Sequence, residues 1–286
     1  MNSDSAAKTA GPATLITVAP TGAESEKAAV PTLPVTLDEL VTTAKECEAA
    51  GAAQIHIHIR DADARPTLDL GRLKETVHAV REATSLIVQL STGGAVTDPY
   101  EHRLAVLDAR PDGCSLTCGT VNFGDDVFMN RAADTIEMAQ RIGKHGAVPE
   151  LELYDAGHLD IVLDLLKAGH VKAPLHLQFV LGVKGALSAS EANLEYLIER
   201  MTMLPSGCTW GVAGIGRHQL PMAELAAMWG GNARVGLEDN IYVDKGVLAE
   251  GSAPLVARAV ELCAQHGRQV ATVAQARALL GLPSRS

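Results

Sequence analysis

Two histidines separated by one residue, His56 and His58, form the pattern in this chain that is best suited to metal chemistry. They end an apolar stretch of β type, and a strand places alternate side chains on one face, so both imidazoles are expected to point the same way. Two imidazoles on one face can bind a divalent metal if a third ligand comes from elsewhere in the chain. A later apolar strand pattern runs into Glu238 and Asp239, and Glu238 is the candidate third ligand.

Each half of this candidate metal site also has a structural interpretation. The histidines could be a hydrogen-bonded pair in the core, and the two carboxylates could cap a helix. The presence of both halves in one chain favours metal binding. Polar residues also recur at alternate positions of other predicted strands, and buried polar groups need partners, a metal or a ligand. That recurrence predicts an active site inside the fold, and it is seen at Gln89 and Ser91, Ser115 and Thr117, Glu150 and Glu152, and His176 and Gln178.

Eight apolar strand patterns alternate with helical patterns along the chain. Near-continuous apolar strands between helices indicate a parallel sheet, and eight such units in about 250 residues predict a closed (β/α)8 barrel, the TIM barrel. A doubly wound open sheet is the alternative. The predicted strands are Leu15–Ala19, Ala53–Ile59, Ser85–Leu90, Gly113–Thr117, Val148–Leu153, Leu175–Val180, Thr209–Val212 and Ala233–Leu237. The predicted helices include Leu37–Ala50, Leu70–Ala83, Asp98–Ala109, Phe128–Lys144 and Ala253–His266.

The composition excludes several classes of protein. The chain has 286 residues, 47% of them hydrophobic, which is ample for a large core. A net charge of -10 argues against nucleic acid or an anionic membrane as the partner. Five scattered cysteines without a CxxC motif indicate free thiols in the cytoplasm. No apolar run approaches the roughly 18 residues of a membrane span. Residues 1–11 are polar and predict a disordered tail without a signal peptide, followed by a single domain over residues 12–286.

A barrel enzyme carries its chemistry at the carboxyl ends of its strands, and glycine-rich segments occur at several of the predicted ends. The segment from Ser91 to Gly94 could be a ligand-binding turn or an ordinary connection. The segment Gly211–Gly216 could bind phosphate, although glycine is common in such loops. The long loop from Thr21 to Thr36 follows the first predicted strand, and long loops inside compact domains are often functional.

Taken in order, these motifs resemble those of the beta-keto acid cleavage enzymes, whose founding member acts on 3-keto-5-aminohexanoate in lysine fermentation. The resemblance extends from about Leu15 to Leu282. Its motifs are Thr21-Gly22-Ala23-Glu24, His56-x-His58-x-Arg60-Asp61, Ser91-Thr92-Gly93-Gly94, Val121-Asn122-Phe123-Gly124, Pro149-Glu150-Leu151-Glu152 and Arg234-Val235-Gly236-Leu237-Glu238-Asp239. As an ordered set the motifs are specific, whereas each fragment alone is not.

The resemblance implies a tetrameric barrel that holds zinc through His56, His58 and Glu238. It also implies a reaction in which a β-keto acid and acetyl-CoA give acetoacetate and a new acyl-CoA. In that reaction Asp239 is the base, and Arg234 orients Asp239 or the substrate carboxylate. Zinc would act as a Lewis acid on the keto group. Two histidines and one carboxylate also suit manganese, cobalt and iron.

The resemblance further implies how the substrates bind. Ser91 and Gly94 would bind the substrate carboxylate, together with Ser115 or the nearby Thr117. Glu24 and Glu152 match positions that hold a cationic amine, so an amino-bearing keto acid such as 5-amino-3-oxohexanoate is expected. Glu152 could instead form a structural ion pair with Arg60 or Lys184. The candidates for binding the CoA phosphates are Lys184, Arg217 and the Gly211–Gly216 segment.

Two other functions compete with this hypothesis. The first is a metal-dependent hydrolase or aldolase that acts on a keto acid without CoA. The second is a metal-loaded binding protein that has kept the fold and lost the reaction. The presence of Arg234, Glu238 and Asp239 together favours an enzyme.

Overall fold

The computed structural model of the chain describes residues 13–284, in which eight parallel strands close into a barrel. The first strand pairs with both the second and the eighth, and this pairing closes the sheet. The predicted (β/α)8 barrel is confirmed, and the alternative of an open sheet is wrong. The strands are β1 (Ile16–Val18), β2 (Gln54–Ile57), β3 (Ile87–Leu90), β4 (Gly113–Thr117), β5 (Val148–Leu153), β6 (His176–Leu181), β7 (Thr209–Gly214) and β8 (Asn232–Val235).

Helices between the strands form the outer layer of the barrel. They are α1 (Leu37–Ala50), α2 (Leu70–Ala83), α3 (Tyr100–Ala105), α4 (Ala132–His145), α5 (His158–Lys167), α6 (Glu191–Arg200), α7 (Gln219–Trp229), α8 (Ala253–Gln265) and α9 (Val273–Leu279). Within residues 13–284, every helix is too short or too polar to cross a membrane. The tail predicted at residues 1–11 lies outside the described residues, and the assignment of a single domain stays a prediction.

Three short hairpins follow barrel strands and account for the main differences from the predicted elements. They pair Ile59–Arg60 with Pro66–Thr67, Val121–Phe123 with Asp126–Phe128, and Tyr242–Asp244 with Val247–Leu248. The predicted strand Ala53–Ile59 is therefore divided, and His58 lies between its two parts. The predicted helix Phe128–Lys144 begins only at Ala132, because Phe128 pairs with Val121 in the second hairpin.

The two faces of the barrel sheet differ in polarity. Ile55 and Ile57 of β2 are buried in the main hydrophobic core. On the opposite face of the same strand, Gln54 and His56 bind side chains that come from other strands. Barrel interiors are usually filled by branched apolar residues, so a polar interior must satisfy its groups internally or with a ligand.

The loop between β1 and α1 is held in place at two points. Arg60 donates hydrogen bonds of 2.8 Å to the backbone oxygens of both Gly22 and Ser25. At the other end of the loop, Thr36 and Glu39 form a capping box at the start of α1, and Lys27 forms an ion pair with Glu39. The cap therefore stabilises the loop that carries Glu24 as well as the helix.

Replacing Glu39 by alanine is expected to lower the free energy of unfolding at pH 7 by about 1 kcal/mol, the typical value for losing a cap. Partial burial acts to raise the pKa of Glu39, but hydrogen bonds from Lys27 and two backbone amides lower it from 4.5 to about 2. Because the pKa is lower in the folded state, the stabilisation is present above pH 4.5 and is lost as the pH falls toward 2.

Urea unfolding of wild type and Glu39→Ala across that pH range measures this effect. Glu46→Ala, on the exposed side of the same helix, is the matched control and is expected to change stability little. A stability difference that stays constant as the pH falls would contradict the assignment of the effect to the Glu39 carboxylate.

Candidate active site

A buried guanidinium, that of Arg234 on β8, binds three carboxylates at the mouth of the barrel. Its Nε and Nη2 each donate to an Asp239 oxygen at 2.9 Å, and its Nη1 lies 3.3 Å from Glu152 Oε1. Nη2 also donates to Glu238. A buried charge needs partners of opposite sign, and here three carboxylates surround one cation. The ionised cluster therefore has an excess of negative charge.

The three predicted metal ligands lie together beside this cluster. Glu238 Oε1 lies 3.8 Å from His56 Nε2 and 3.6 Å from His58 Nε2, and the imidazole centroids are 5.3 Å apart. Ligand atoms about 2.1 Å from a tetrahedral zinc would be separated by about 3.4 Å. The second oxygen of Glu238, Oε2, is buried without a hydrogen-bond partner. These residues therefore fit a divalent metal.

The protonation of the histidines also suits metal binding. Burial and the nearby Arg234 lower the pKa of His56 to about 3, and burial likewise lowers the pKa of His58. The contacts with Glu238 are therefore contacts of neutral imidazoles rather than ion pairs. His56 Nδ1 lies 2.6 Å from Gln89 Oε1, a contact that requires the proton on Nδ1 and leaves the Nε2 lone pair for a metal.

Two glycines allow Glu238 to reach the histidines. Gly236 has φ +144°, and a Cβ there would lie 2.1 Å from the backbone oxygen of Ala19, so the chain can bend sharply after β8. Gly22 has φ +62°, and a Cβ there would lie 2.6 Å from Glu238 Cγ. A larger residue at either position would displace the Glu238 carboxylate.

The other two carboxylates bound to Arg234 have raised pKa values. Burial raises the pKa of Glu152 to about 7, although Arg234 opposes the shift. Burial also raises the pKa of Asp239, with a further contribution from the charge of Glu238. For Glu238 itself, burial is outweighed by the charge and the hydrogen bond of Arg234, so its pKa is lowered. Asp239 is thus a stronger base than an ordinary aspartate, held in a fixed orientation by two hydrogen bonds.

A cavity of about 550 Å³ opens at these groups. Ser91 and Gly94 line it, and the Ser91 hydroxyl accepts a 3.1 Å hydrogen bond from the Gly93 amide. Glu24 is exposed and also lines the cavity. Of the ten predicted site residues, nine therefore line one cavity: Glu24, His56, His58, Ser91, Gly94, Glu152, Arg234, Glu238 and Asp239.

The tenth predicted residue, Ser115, does not line the cavity. It is buried, and its Oγ accepts a 3.2 Å hydrogen bond from the Thr92 amide, so it supports the turn that carries Ser91. The alternative, Thr117, donates to Glu152 Oε2 at 3.1 Å. Both side chains hold cavity residues in position, and sequence spacing alone does not distinguish this role from direct contact.

One predicted interaction is wrong. The ion-pair partner of Glu152 is Arg234, whereas Arg60 binds backbone oxygens and Lys184 pairs with Asp125. Phosphate binding by the segment Gly211–Gly216 stays a prediction, and Gly216 lines a second cleft. Most of the segment forms the buried end of β7, and the Gly216 amide donates to the backbone oxygen of Asp239 at 2.6 Å.

A second, larger cleft of about 1180 Å³ shares Ile215, Glu238 and Asp239 with the first cavity. Its lining contains three cationic side chains, Arg217, Lys245 and Arg258. Only Arg217 was predicted from the sequence. Lys245 lies on the third hairpin and Arg258 on α8, and no local motif marks either residue as part of a site.

An apolar wall of the first cavity was also missed. It includes Phe123, Phe128, Tyr154, Val180 and Val183. Two of the three phenylalanines of the chain thus line this one cavity. Tyr154 follows Glu150 and Glu152 at the same spacing of two residues, and this spacing is a sequence signal that could have identified it as a site residue.

Comparisons with known proteins agree with this geometry. The family described as beta-keto acid cleavage enzyme matches residues 13–282. A 3-keto-5-aminohexanoate cleavage enzyme of Acetoanaerobium sticklandii is 42% identical over 270 residues, which cover 94% of this chain and 98% of that protein. A 3-oxoadipate:acetyl-CoA acetyltransferase of Cupriavidus necator is 38% identical over 271 residues, which cover 94% and 95% of the two chains.

The apo structure of ObcA is similar in fold, with a TM-score of 0.79 at 21% sequence identity. The match covers 88% of this chain and 66% of ObcA, so the chain spans about two thirds of the length of that protein. The family match and the two relatives each extend over nearly the whole sequence, and the described barrel contains the ordered motifs. The chain therefore belongs to the beta-keto acid cleavage enzyme family.

Proposed function

We propose that this protein converts a β-keto acid and acetyl-CoA to acetoacetate and a new acyl-CoA. The observation that carries the proposal is the buried Asp239 carboxylate, which Arg234 holds beside three candidate metal ligands in one cavity. A carboxylate of raised pKa next to a Lewis-acid site suits removal of a proton α to a carbonyl. The acetyl transfer named for the Cupriavidus necator relative supports the choice of acetyl-CoA.

In the proposed reaction Asp239 takes a proton from the carbon between the keto and carboxylate groups of the substrate. That carbon forms a bond to the acetyl carbonyl carbon, and the acetyl thioester bond breaks. The bond between the same carbon and the original acyl group then breaks, and the acyl group forms a thioester with CoA. Asp239 returns its proton, so the atoms balance without an oxidant or reductant. Arg234 keeps Asp239 oriented throughout.

A divalent metal bound by His56, His58 and Glu238 would supply a Lewis acid for the keto oxygen. Two histidines and one carboxylate are typical of catalytic zinc sites with an open coordination position, so zinc is the proposed metal. The excess negative charge of the Arg234 cluster and the unpartnered Glu238 Oε2 support a dication at this place.

The second cleft is the proposed site of the CoA nucleotide. Two of its cationic residues, Arg217 and Lys245, suit phosphate groups on a protein that is otherwise acidic, and the third, Arg258, forms an ion pair with Glu261. The cleft meets the first cavity at Asp239, so the thioester end would lie beside the proposed base. Lys184 belongs to the first cavity and is paired with Asp125.

An amino-bearing keto acid, 5-amino-3-oxohexanoate or a close cationic relative, is the proposed substrate, as in lysine degradation. Six carboxylates and two cationic side chains line the first cavity, so its lining attracts a positively charged tail. The Acetoanaerobium sticklandii relative carries a name that includes an amino-substituted substrate. Glu24 is the carboxylate best suited to bind the ammonium group, because Glu152 already forms an ion pair with Arg234.

A homotetramer in the cytoplasm is the proposed state of the protein. The third hairpin exposes Tyr242, Val247 and Leu248 by 44 to 53%, a small apolar surface suited to contact with another subunit. All five cysteines are free thiols, as expected in a reducing compartment.

The reaction is tested by incubating zinc-loaded protein with acetyl-CoA and a panel of β-keto acids. Mass spectrometry is expected to detect acetoacetate and the matching acyl-CoA. Asp239→Asn keeps the shape of the side chain but removes the base, so turnover is expected to fall at least about 100-fold. The absence of acyl-CoA from every keto acid would contradict the proposal. Cleavage without acetyl-CoA would instead favour the hydrolase or aldolase.

Replacing Gln89 by leucine is expected to weaken zinc binding about 10- to 100-fold, because His56 loses the acceptor that orients its ring. Competition with a chromophoric chelator measures the affinity independently of catalysis. Gln140→Leu, at an exposed site on α4 away from the candidate metal ligands, is the matched control. Equal zinc affinity in wild type and Gln89→Leu would show that the Gln89 contact does not support a metal site.

Replacing Glu24 by glutamine is expected to reduce kcat/KM for an amino-bearing keto acid about 10-fold or more, with little effect on a neutral keto acid of similar length. Steady-state kinetics with both substrates measure the difference. Glu26→Gln removes an exposed charge from the same loop without changing the cavity lining and is the control. Equal losses for both substrates would contradict an ammonium site at Glu24.

A further inference from the structure

We infer that the Tyr154 hydroxyl donates a hydrogen bond to the acetyl thioester oxygen when that oxygen gains negative charge. This inference rests on the proposed function and adds a catalytic residue to it. It is based on the Tyr154 side chain, which is buried, is held by ring contacts, lines the first cavity and has a hydroxyl that donates no hydrogen bond within the described residues.

The position of Tyr154 follows from the strand before it. Glu150 and Glu152 occupy alternate positions of β5, so their side chains share one face, and Tyr154 follows directly after the last strand residue, Leu153. Glu150 contacts Gln54 inside the barrel, and Glu152 pairs with Arg234 at the mouth. Tyr154 lines the cavity with Asp239.

The backbone and the ring of Tyr154 are fixed. Its amide donates to His158 Nδ1 at 3.2 Å, and its backbone oxygen accepts from the Leu187 amide at 3.0 Å. Its ring makes edge contacts with Phe123 and His158, at centroid distances of 6.1 and 6.5 Å. The residue is 7% exposed. Little conformational entropy therefore remains to be lost when the hydroxyl binds a ligand.

The hydroxyl has no hydrogen-bond partner among residues 13–284. Tyrosine hydroxyls in largely apolar surroundings usually have a partner, and Tyr154 lines the open cavity, so a ligand there is the natural acceptor. Burial, with the charge of Glu152 adding to it, raises the pKa of Tyr154 well above 10. The hydroxyl therefore stays protonated at neutral pH and acts as a donor rather than as a base.

The other strong donors of the cavity are already occupied. Each side-chain nitrogen of Arg234 binds a carboxylate, and Lys184 pairs with Asp125. Of the uncharged donors, Ser91 would bind the substrate carboxylate. The keto oxygen of the substrate would face the candidate metal ligands. The thioester oxygen is the remaining acceptor that becomes negatively charged.

Tyr154 also lies on the side from which the thioester would enter. It belongs to an apolar cluster with Val180 and Val183, and Ile215 packs against that cluster. Ile215 lines both the first cavity and the cleft assigned to CoA. An apolar surrounding strengthens a hydrogen bond to developing negative charge, because competing water is excluded.

The test compares two reactions of zinc-loaded wild type and Tyr154→Phe. The first is acetyl transfer from acetyl-CoA. The second is exchange of the keto acid's α protons in D2O without acetyl-CoA, followed by NMR above the uncatalysed rate. Removing the hydroxyl is expected to lower kcat for transfer about 100-fold, the typical loss of one oxyanion donor. Exchange is expected to stay within about threefold of wild type, because no thioester takes part in it.

Tyr196→Phe, at an exposed position of α6, is the matched control and is expected to affect neither reaction. An equal loss of transfer and exchange in Tyr154→Phe would assign the hydroxyl a structural role and overturn the inference. Unchanged transfer would overturn it as well. If wild type exchanged the α protons but formed no acyl-CoA, the proposed function would be overturned. The wild-type data alone distinguish that failure from a failure of the inference about Tyr154.

Discussion

The organisation of the barrel mouth depends on the burial of one guanidinium, that of Arg234. A buried cation without partners would cost several kcal/mol, and Arg234 binds Glu152, Glu238 and Asp239. With all three carboxylates ionised, the cluster has two negative charges in excess. Because the pKa values of Glu152 and Asp239 are raised, either carboxyl takes up a proton more readily, and this lowers the excess negative charge. A dication beside Glu238 would balance the charge instead. The candidate metal ligands and the proposed base are therefore electrostatically linked.

Two adjacent residues beside this cation, Glu238 and Asp239, have different contacts. Glu238 and Asp239 are neighbours in the chain, yet one reaches the histidines while the other binds Arg234 through both oxygens. This separation requires the sharp bend at Gly236 and the space at Gly22. Because Arg60 holds the backbone of Gly22, the β1–α1 loop becomes part of the wall behind the Glu238 carboxylate. A change in that loop would therefore shift the candidate metal ligand Glu238 without contacting the two histidines.

The cavity has two chemically different sides. Charged groups and the candidate metal ligands occupy one side, whereas an aromatic and aliphatic wall around Tyr154 and Phe128 occupies the other. The negative charge that develops on the substrates would lie on the polar side, and the apolar wall would exclude water from the cavity. The exposed pair of Lys184 and Asp125 at the rim contributes little energy, because solvent screens it.

Local pattern was enough to recognise the fold and the candidate metal ligands, and the resemblance to a known family supplied most of the other site residues. The helices Leu37–Ala50 and Leu70–Ala83 and the strands Gly113–Thr117 and Val148–Leu153 were predicted with the bounds that the structure has. Such elements are specified by hydrophobic periodicity and capping residues, which are properties of short segments. The ordered motifs likewise identified nine residues that line the cavity, because the carboxyl ends of parallel strands meet at one end of a barrel.

Contacts between distant segments could not be predicted in the same way. The pairing of Glu152 with Arg234, the supporting role of Ser115 and the cationic cleft of Lys245 and Arg258 each join residues far apart in the chain. The glycines of Gly211–Gly216 look like a phosphate loop, yet most of them form a buried strand end. Periodicity along the chain specifies which face a side chain occupies. The closure of the barrel determines which side chains meet there, because the relative positions of the strands arise only when all eight pack together.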